Sequence, residues 1–138
     1  MHSAQNPVKM FISTIKEFMD DMVEIFPEKK GKIKSKKLML ETMEGAAGKT
    51  IVHKYVKYVF PHLDKVIKKD HRFIVDPNNC PPILMDMDIH LLWDQAIPQT
   101  QEMVWKYVYL LNVLASGIVD SPPEIKHAVQ LAWQNSYC

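Results

Sequence analysis

Arginine is almost missing from this chain: Arg72 stands alone beside sixteen lysines. Arg is the residue that reads base edges and grips phosphate with a planar fork, so its scarcity argues against sequence-specific nucleic-acid recognition. Cysteine is scarce too. Cys80 and Cys138 are the only two, too few and too far apart to imply a disulfide framework, and both read as free thiols in a reducing compartment. No apolar run approaches the ~20 residues of a bilayer-crossing helix. Residues 1–8 lack the apolar core of a secretion signal. We therefore expect no membrane attachment and no secretion. Catalytic patterns are missing as well: there is no G-x-S-x-G and no local Cys–His pair. The histidines His2, His53, His62, His71, His90 and His127 never fall at metal-ligand spacing with one another or with a cysteine. No catalytic residue, cofactor or metal is expected, and the chain reads as non-enzymatic.

What is there fits one ordinary domain. The chain has 138 residues, of which 47% are hydrophobic and 24% charged, a composition that can bury its own core without a metal or a crosslink. A single domain over residues 1–138 is expected. Net charge is +1 but unevenly spread. Residues 27–72 hold thirteen cations against five acids, a net +8. Residues 1–26 carry −2 and residues 73–138 carry −5. Such asymmetry bears on partners rather than on fold.

Apolar residues recur with helical spacing. Asn6-Pro7 opens a helix, and Val8, Phe11, Ile12, Ile15, Phe18, Met19, Met22 and Phe26 form its stripe until Pro27 stops it. Residues 27–37 read as a lysine-dense connector. Leu38, Met39, Leu40 and Met43 suggest a short helix closed near Gly45 or Gly48, with Thr50 capping the next. That one carries Ile51, Val52, Tyr55, Val56 and Val59, and after Pro61 the pattern resumes at Leu63, Val66 and Ile67. Phe73, Ile74 and Val75 are too short a run for periodicity to assign. Residues 76–82, D-P-N-N-C-P-P, form the strongest loop signal. Met85, Ile89, Leu92 and Trp93 indicate one short helix, with Asp86 and Asp88 as favourable anions at its start. A helix over 98–116, stopped at Gly117, is apolar nearly all round, which places it in the middle of a core or in an interface. Ser121-Pro122 starts a last helix with Ile125, Val129 and Trp133 inward. The expected fold is all-α: a compact bundle of five to seven helices around the buried 98–116 helix.

Gly45-Ala46-Ala47-Gly48-Lys49-Thr50 ends like a phosphate-binding loop, but the first glycine of G-x-x-x-x-G-K-[ST] falls on Met43, and the preceding segment looks helical. We read it as a helix–helix turn. Lys29, Lys30, Lys32, Lys34, Lys36 and Lys37 form a dense positive run that suits non-specific contact with nucleic-acid phosphate, with support from the wider 29–72 region. Trp105, Tyr109, Leu110 and Val113, on the all-round apolar helix, are the candidate interface residues.

Two stretches carry a resemblance. They are F-I-S-T-I-K-E-F-M-D-D-M-V-E-I-F-P-E, Phe11 to Glu28, and M-D-I-H-L-L-W-D-Q-A-I-P-Q-T-Q-E-M-V-W-K-Y-V-Y-L-L, Met87 to Leu111, together 43 residues. They resemble uncharacterised short proteins of nucleocytoplasmic large DNA viruses of the mimivirus and phycodnavirus kind. The matching residues are Phe26-Pro27-Glu28, Asp88 with Leu92-Trp93, and Val104-Trp105-Lys106-Tyr107-Val108. The resemblance implies a viral source and a helical fold, and supplies no activity. The resulting expectation is a viral accessory or structural protein of the host-cell cytoplasm or virion, acting through a protein partner or self-association. The alternative is a non-specific nucleic-acid binder.

Overall fold

A computed structural model describes residues 6–43 and 47–138. Helix covers 82% of it, with no strand among the described residues, so the fold is all-α. Five helices have twelve or more residues and make the frame. They are α1 (Pro7–Ile25), α2 (Lys30–Thr42), α3 (Gly48–Val59), α8 (Pro98–Ile118) and α9 (Pro123–Tyr137). Four segments of four or five residues fill the space between them: α4 (Leu63–Ile67), α5 (Arg72–Val75), α6 (Pro82–Asp86) and α7 (Ile89–Leu92).

Local chemistry sets most boundaries. The Asn6 Oδ1 accepts the Val8 amide at 3.0 Å, and Pro7 occupies the first position of α1. Pro27 ends the helix, leaving Phe26 as its cap. The apolar stripe then buries Phe11, Ile12, Ile15, Phe18, Met19 and Met22. α4 ends on Lys69 in the left-handed region, φ 53°, with the Asp70 amide returning to the Lys65 carbonyl at 2.9 Å, a helix stop usually made by glycine.

The lysine-dense segment is not a connector. A 3-10 turn, Pro27–Lys29, leads straight into α2, which runs through the expected 38–43 helix as one element. Lys, Leu and Met are good helix formers, and tertiary acids supply the counter-charge that the segment lacks. Leu40 and Ile33 point inward, whereas Leu38, Met39 and Met43 are exposed. Thr50 is not a cap either: α3 begins at Gly48, whose missing side chain lets α3 close on α1. A Cβ there would lie 2.7 Å from Val8 Cγ1 and 3.2 Å from Ile12 Cδ1. The expected single helix near 85–93 is broken at Asp88, φ 57°, into α6 and α7. The expected stop at Gly117 comes one residue later, after Ile118.

α8 is the central helix. It packs against α1, α3, α4 and α9 and buries Val104, Trp105, Val108, Tyr109, Leu111 and Ala115. Its buried face also holds Thr100, Asn112 and Ser116. Asn112 is matched by Tyr55 of α3, whose hydroxyl donates to Asn112 Oδ1 at 2.7 Å. Burial drives the Tyr55 phenol well above its ordinary pKa, so it stays a neutral donor. An aromatic cluster forms nearer the start of α8, with Trp105 edge-on to Trp93 at 5.9 Å and tilted against Phe73 at 6.3 Å.

Candidate functional site: the two faces of helix α2

The lysines of α2 and the turn before it divide between an inner and an outer face. On the inner side, Lys29 Nζ lies 3.0 Å from Asp88 Oδ2, and Lys32 pairs with Asp88 Oδ1. Lys36 lies 3.7 Å from Asp86, and Lys37 donates to Asp20 of α1 at 2.8 Å. Asp88 is only 6% exposed. Burial works against its charge, but hydrogen bonds from Lys32 and Lys29 prevail, and its carboxyl sits below the usual carboxylate range. Its amide and carbonyl are used as well: the carbonyl accepts the Leu91 and Leu92 amides at 3.0 Å each. Asp88 therefore does not cap α7 with its side chain; it turns the backbone and anchors α2.

Four of the six candidate phosphate-binding lysines thus pair within the chain, Lys29 and Lys32 with buried Asp88, Lys36 with partly exposed Asp86 and Lys37 with exposed Asp20. Lys30 and Lys34 are exposed and in no ion pair among the described residues. They lie one turn apart on the outer face, in a row that continues to Leu38. A neighbouring row runs Gly31, Ser35, Met39, Met43. Leu38 is 63% and Met39 53% exposed, so the outer face is cationic in its first half and apolar in its second. A Cβ on Gly31 would meet nothing within 4 Å.

The expected interface on α8 divides differently. Trp105 and Tyr109 are buried and belong to the core, a correction of the expectation that they present an interface. The Tyr109 hydroxyl donates to the Ile67 carbonyl at 2.8 Å, and its ring meets Tyr137 of α9 at 5.5 Å. Lys69 closes this corner, donating to Glu102 at 2.7 Å while lying 4.9 Å from the Tyr137 ring centroid. Leu110 and Val113 are half-buried. Leu110 lines a groove of about 310 Å3 with Tyr107, Met103, Glu17 and Asp21, between α1 and α8. Tyr107 stacks on Phe18 at 4.5 Å and donates to Asp21. A second open cleft, about 450 Å3, lies against Trp93 and Trp105, with His71 and Asp94 on its rim.

No arrangement of these residues assembles a nucleophile with a base. The Cys80 thiol is buried and pushed up to about 12, which leaves it protonated and unreactive; Cys138 is exposed and free. Among the described residues no group of three or more His, Cys, Asp or Glu is placed to hold a metal, and no helix is long and apolar enough to cross a membrane. In the segment resembling a phosphate-binding loop, Gly45 and Ala46 lie outside the described residues. Gly48 is spent on packing against α1, and Lys49 and Thr50 are exposed in the first turn of α3. Arg72 is held by Asp70, with its Nη2 donating at 2.6 Å. These hydrogen bonds hold the Asp70 carboxyl down to about 2.

No protein-family model, curated protein or solved structure matches the chain. The outer face of α2 is legible only in part in the sequence: its lysines stand out, but the exposure of Leu38 and Met39 depends on Ile33 and Leu40 being the residues that turn inward.

Proposed function

We propose that this chain is a non-enzymatic helical binding protein that docks a partner protein on the outer face of α2. The observation that carries the reading is the adjacency of exposed Leu38 and Met39 on a helix whose opposite side is pinned by Asp88. Apolar anchors on a rigid element are the recurrent core of protein interfaces. Lys30 and Lys34, unpaired on the same face, select a partner segment that is apolar at one end and acidic at the other. Gly31, open to solvent, lets that segment approach closely. The resemblance of residues 11–28 and 87–111 to large-DNA-virus proteins supports an accessory or structural role in the infected cell or the virion.

The test compares wild type with the double variant Leu38→Asp, Met39→Asp. Affinity capture from producing cells reads heterologous partners, and sedimentation reads self-association. Loss of a specific partner, or of the oligomer, in a variant that melts like wild type supports the reading. Identical partners and identical sedimentation in both proteins overturn it.

A further inference from the structure

Apart from Lys30 and Lys34, the structure has a second cationic surface that the docking face does not use. α3 turns Gly48, Ile51, Val52, Tyr55 and Val59 into the core. Its opposite side exposes Lys49, His53, Lys54 and Lys57, with Tyr58 at the edge, 47% exposed. Residues 45–63 contain no acid, and Lys49, Lys54 and Lys57 are in no ion pair among the described residues. Lys49, His53 and Lys57 follow one another at intervals of four, and Lys54 sits beside them. Lys54 and Lys57, three positions apart, are like charges at a spacing that destabilises a helix, and no acid among the described residues pairs with either.

We propose that the outer face of α3 binds the phosphate backbone of nucleic acid without sequence preference, with Tyr58 as a stacking platform for a base. Dimensions agree. Lys49 to Lys57 spans about 12 Å of helix, so the three lysines offer a line of charge rather than a point to the phosphates of one strand. Lysine supplies compact charge to phosphates, and the one guanidinium that would read base edges is occupied by Asp70. A membrane surface fits less well. Helices that lie on lipid insert an apolar face, and that of α3 is buried in the core. An acidic protein partner fits less well too, because this face exposes a single large apolar side chain, Tyr58, where a protein interface needs an apolar centre. A flat ring bordering a row of cations is the arrangement used to hold single strands.

The test is fluorescence anisotropy with a labelled single-stranded oligonucleotide of mixed sequence, over a series of salt concentrations. Wild type binds with a log–log salt slope near about −2, the value for three lysine–phosphate contacts on a single strand. The triple variant Lys49→Gln, Lys54→Gln, Lys57→Gln loses that binding, and Tyr58→Ala weakens it by roughly tenfold. Lys30→Gln with Lys34→Gln, on the other face, leaves it unchanged. All six substituted positions are exposed, so each variant should melt like wild type, and the double variant Lys54→Gln, Lys57→Gln serves if the triple one melts early. Binding unchanged in the triple variant, no binding at low salt, or binding of phosphatidylserine vesicles in place of the oligonucleotide overturns the proposal.

Discussion

Asp88 and Lys29 meet at 3.0 Å across 59 positions of chain, and this contact makes a helix out of the most cationic stretch of the sequence. Lys32 joins the same carboxylate. The segment that looks most like a loose tail is thereby fixed to the elbow between α6 and α7, and its remaining face becomes a surface of defined shape.

Removing the carboxylate separates its two roles. Asp88→Asn keeps a side chain that tolerates the left-handed backbone at φ 57° but deletes the charge. It should destabilise by about 1–2 kcal/mol. Asp88→Ala removes the charge as well and adds left-handed backbone strain of about 1–2 kcal/mol that Asn avoids, so its loss should exceed that of Asp88→Asn by about that amount. Denaturant midpoints at neutral pH check the order, and equal losses would show that charge alone matters.

The same pair makes a pH prediction. Burial opposes the Asp88 charge, hydrogen bonds from Lys32 and Lys29 outweigh it, and the folded pKa lies below the unfolded one. Such a group contributes stability that is complete above the unfolded value of about 3.9 and is lost as pH falls through the folded value. The gap in melting temperature between wild type and Asp88→Asn from this charge should hold constant from neutral pH down to about pH 5 and shrink as pH falls below about 4. A gap that grows on acidification would contradict this assignment.

Tyr55 and Asn112 bridge α3 and the central helix inside the core. Tyr55→Phe removes the donor and strands a buried amide oxygen, at a cost of about 1–3 kcal/mol. Replacing both, Tyr55→Phe with Asn112→Leu, should recover part of that loss, because no polar atom of the pair is then left unmatched. A double variant less stable than the sum of the single ones would show that packing, not hydrogen bonding, dominates there.

Trp105 is buried against Trp93 and Phe73. Trp105→Ala should cost about 3–5 kcal/mol, a large share of the ~5–15 kcal/mol available to a domain. An unchanged melt would mean that the ring faces solvent.

Gly31→Ala tests the outer face from the opposite direction. The new methyl meets nothing within 4 Å, and alanine is favoured over glycine in a helix by up to about 1 kcal/mol, less in a first turn such as this one. The isolated chain should gain stability while losing affinity for whatever seats on α2. A gain in stability with full binding would remove Gly31 from the docking surface.

The long helices were legible because their order is local. Asn6-Pro7, Pro27 and the stripe from Phe11 to Met22 state where α1 starts, stops and faces, and the all-round apolar pattern of residues 98–116 marked α8 as central. The segment 27–37 was misread because its lysines are matched by Asp20, Asp86 and Asp88, acids that lie up to 59 positions away and join it only after folding. The break at Asp88 was missed for a related reason: the backbone adopts the left-handed turn around an ion pair that local propensity does not encode. Trp105 and Tyr109 were offered as interface residues because an all-round apolar helix does not reveal which sides are covered. α9, α4 and α5 cover them.

The most direct test is amide hydrogen exchange over residues 30–42. A helix locked through Lys29, Lys32 and Asp88 should exchange slowly in wild type and lose its protection selectively in Asp88→Ala, with α1 and α8 still protected. Exchange of residues 30–42 at the rate of an unstructured chain in wild type would contradict the lock, and with it the fixed outer face on which docking depends.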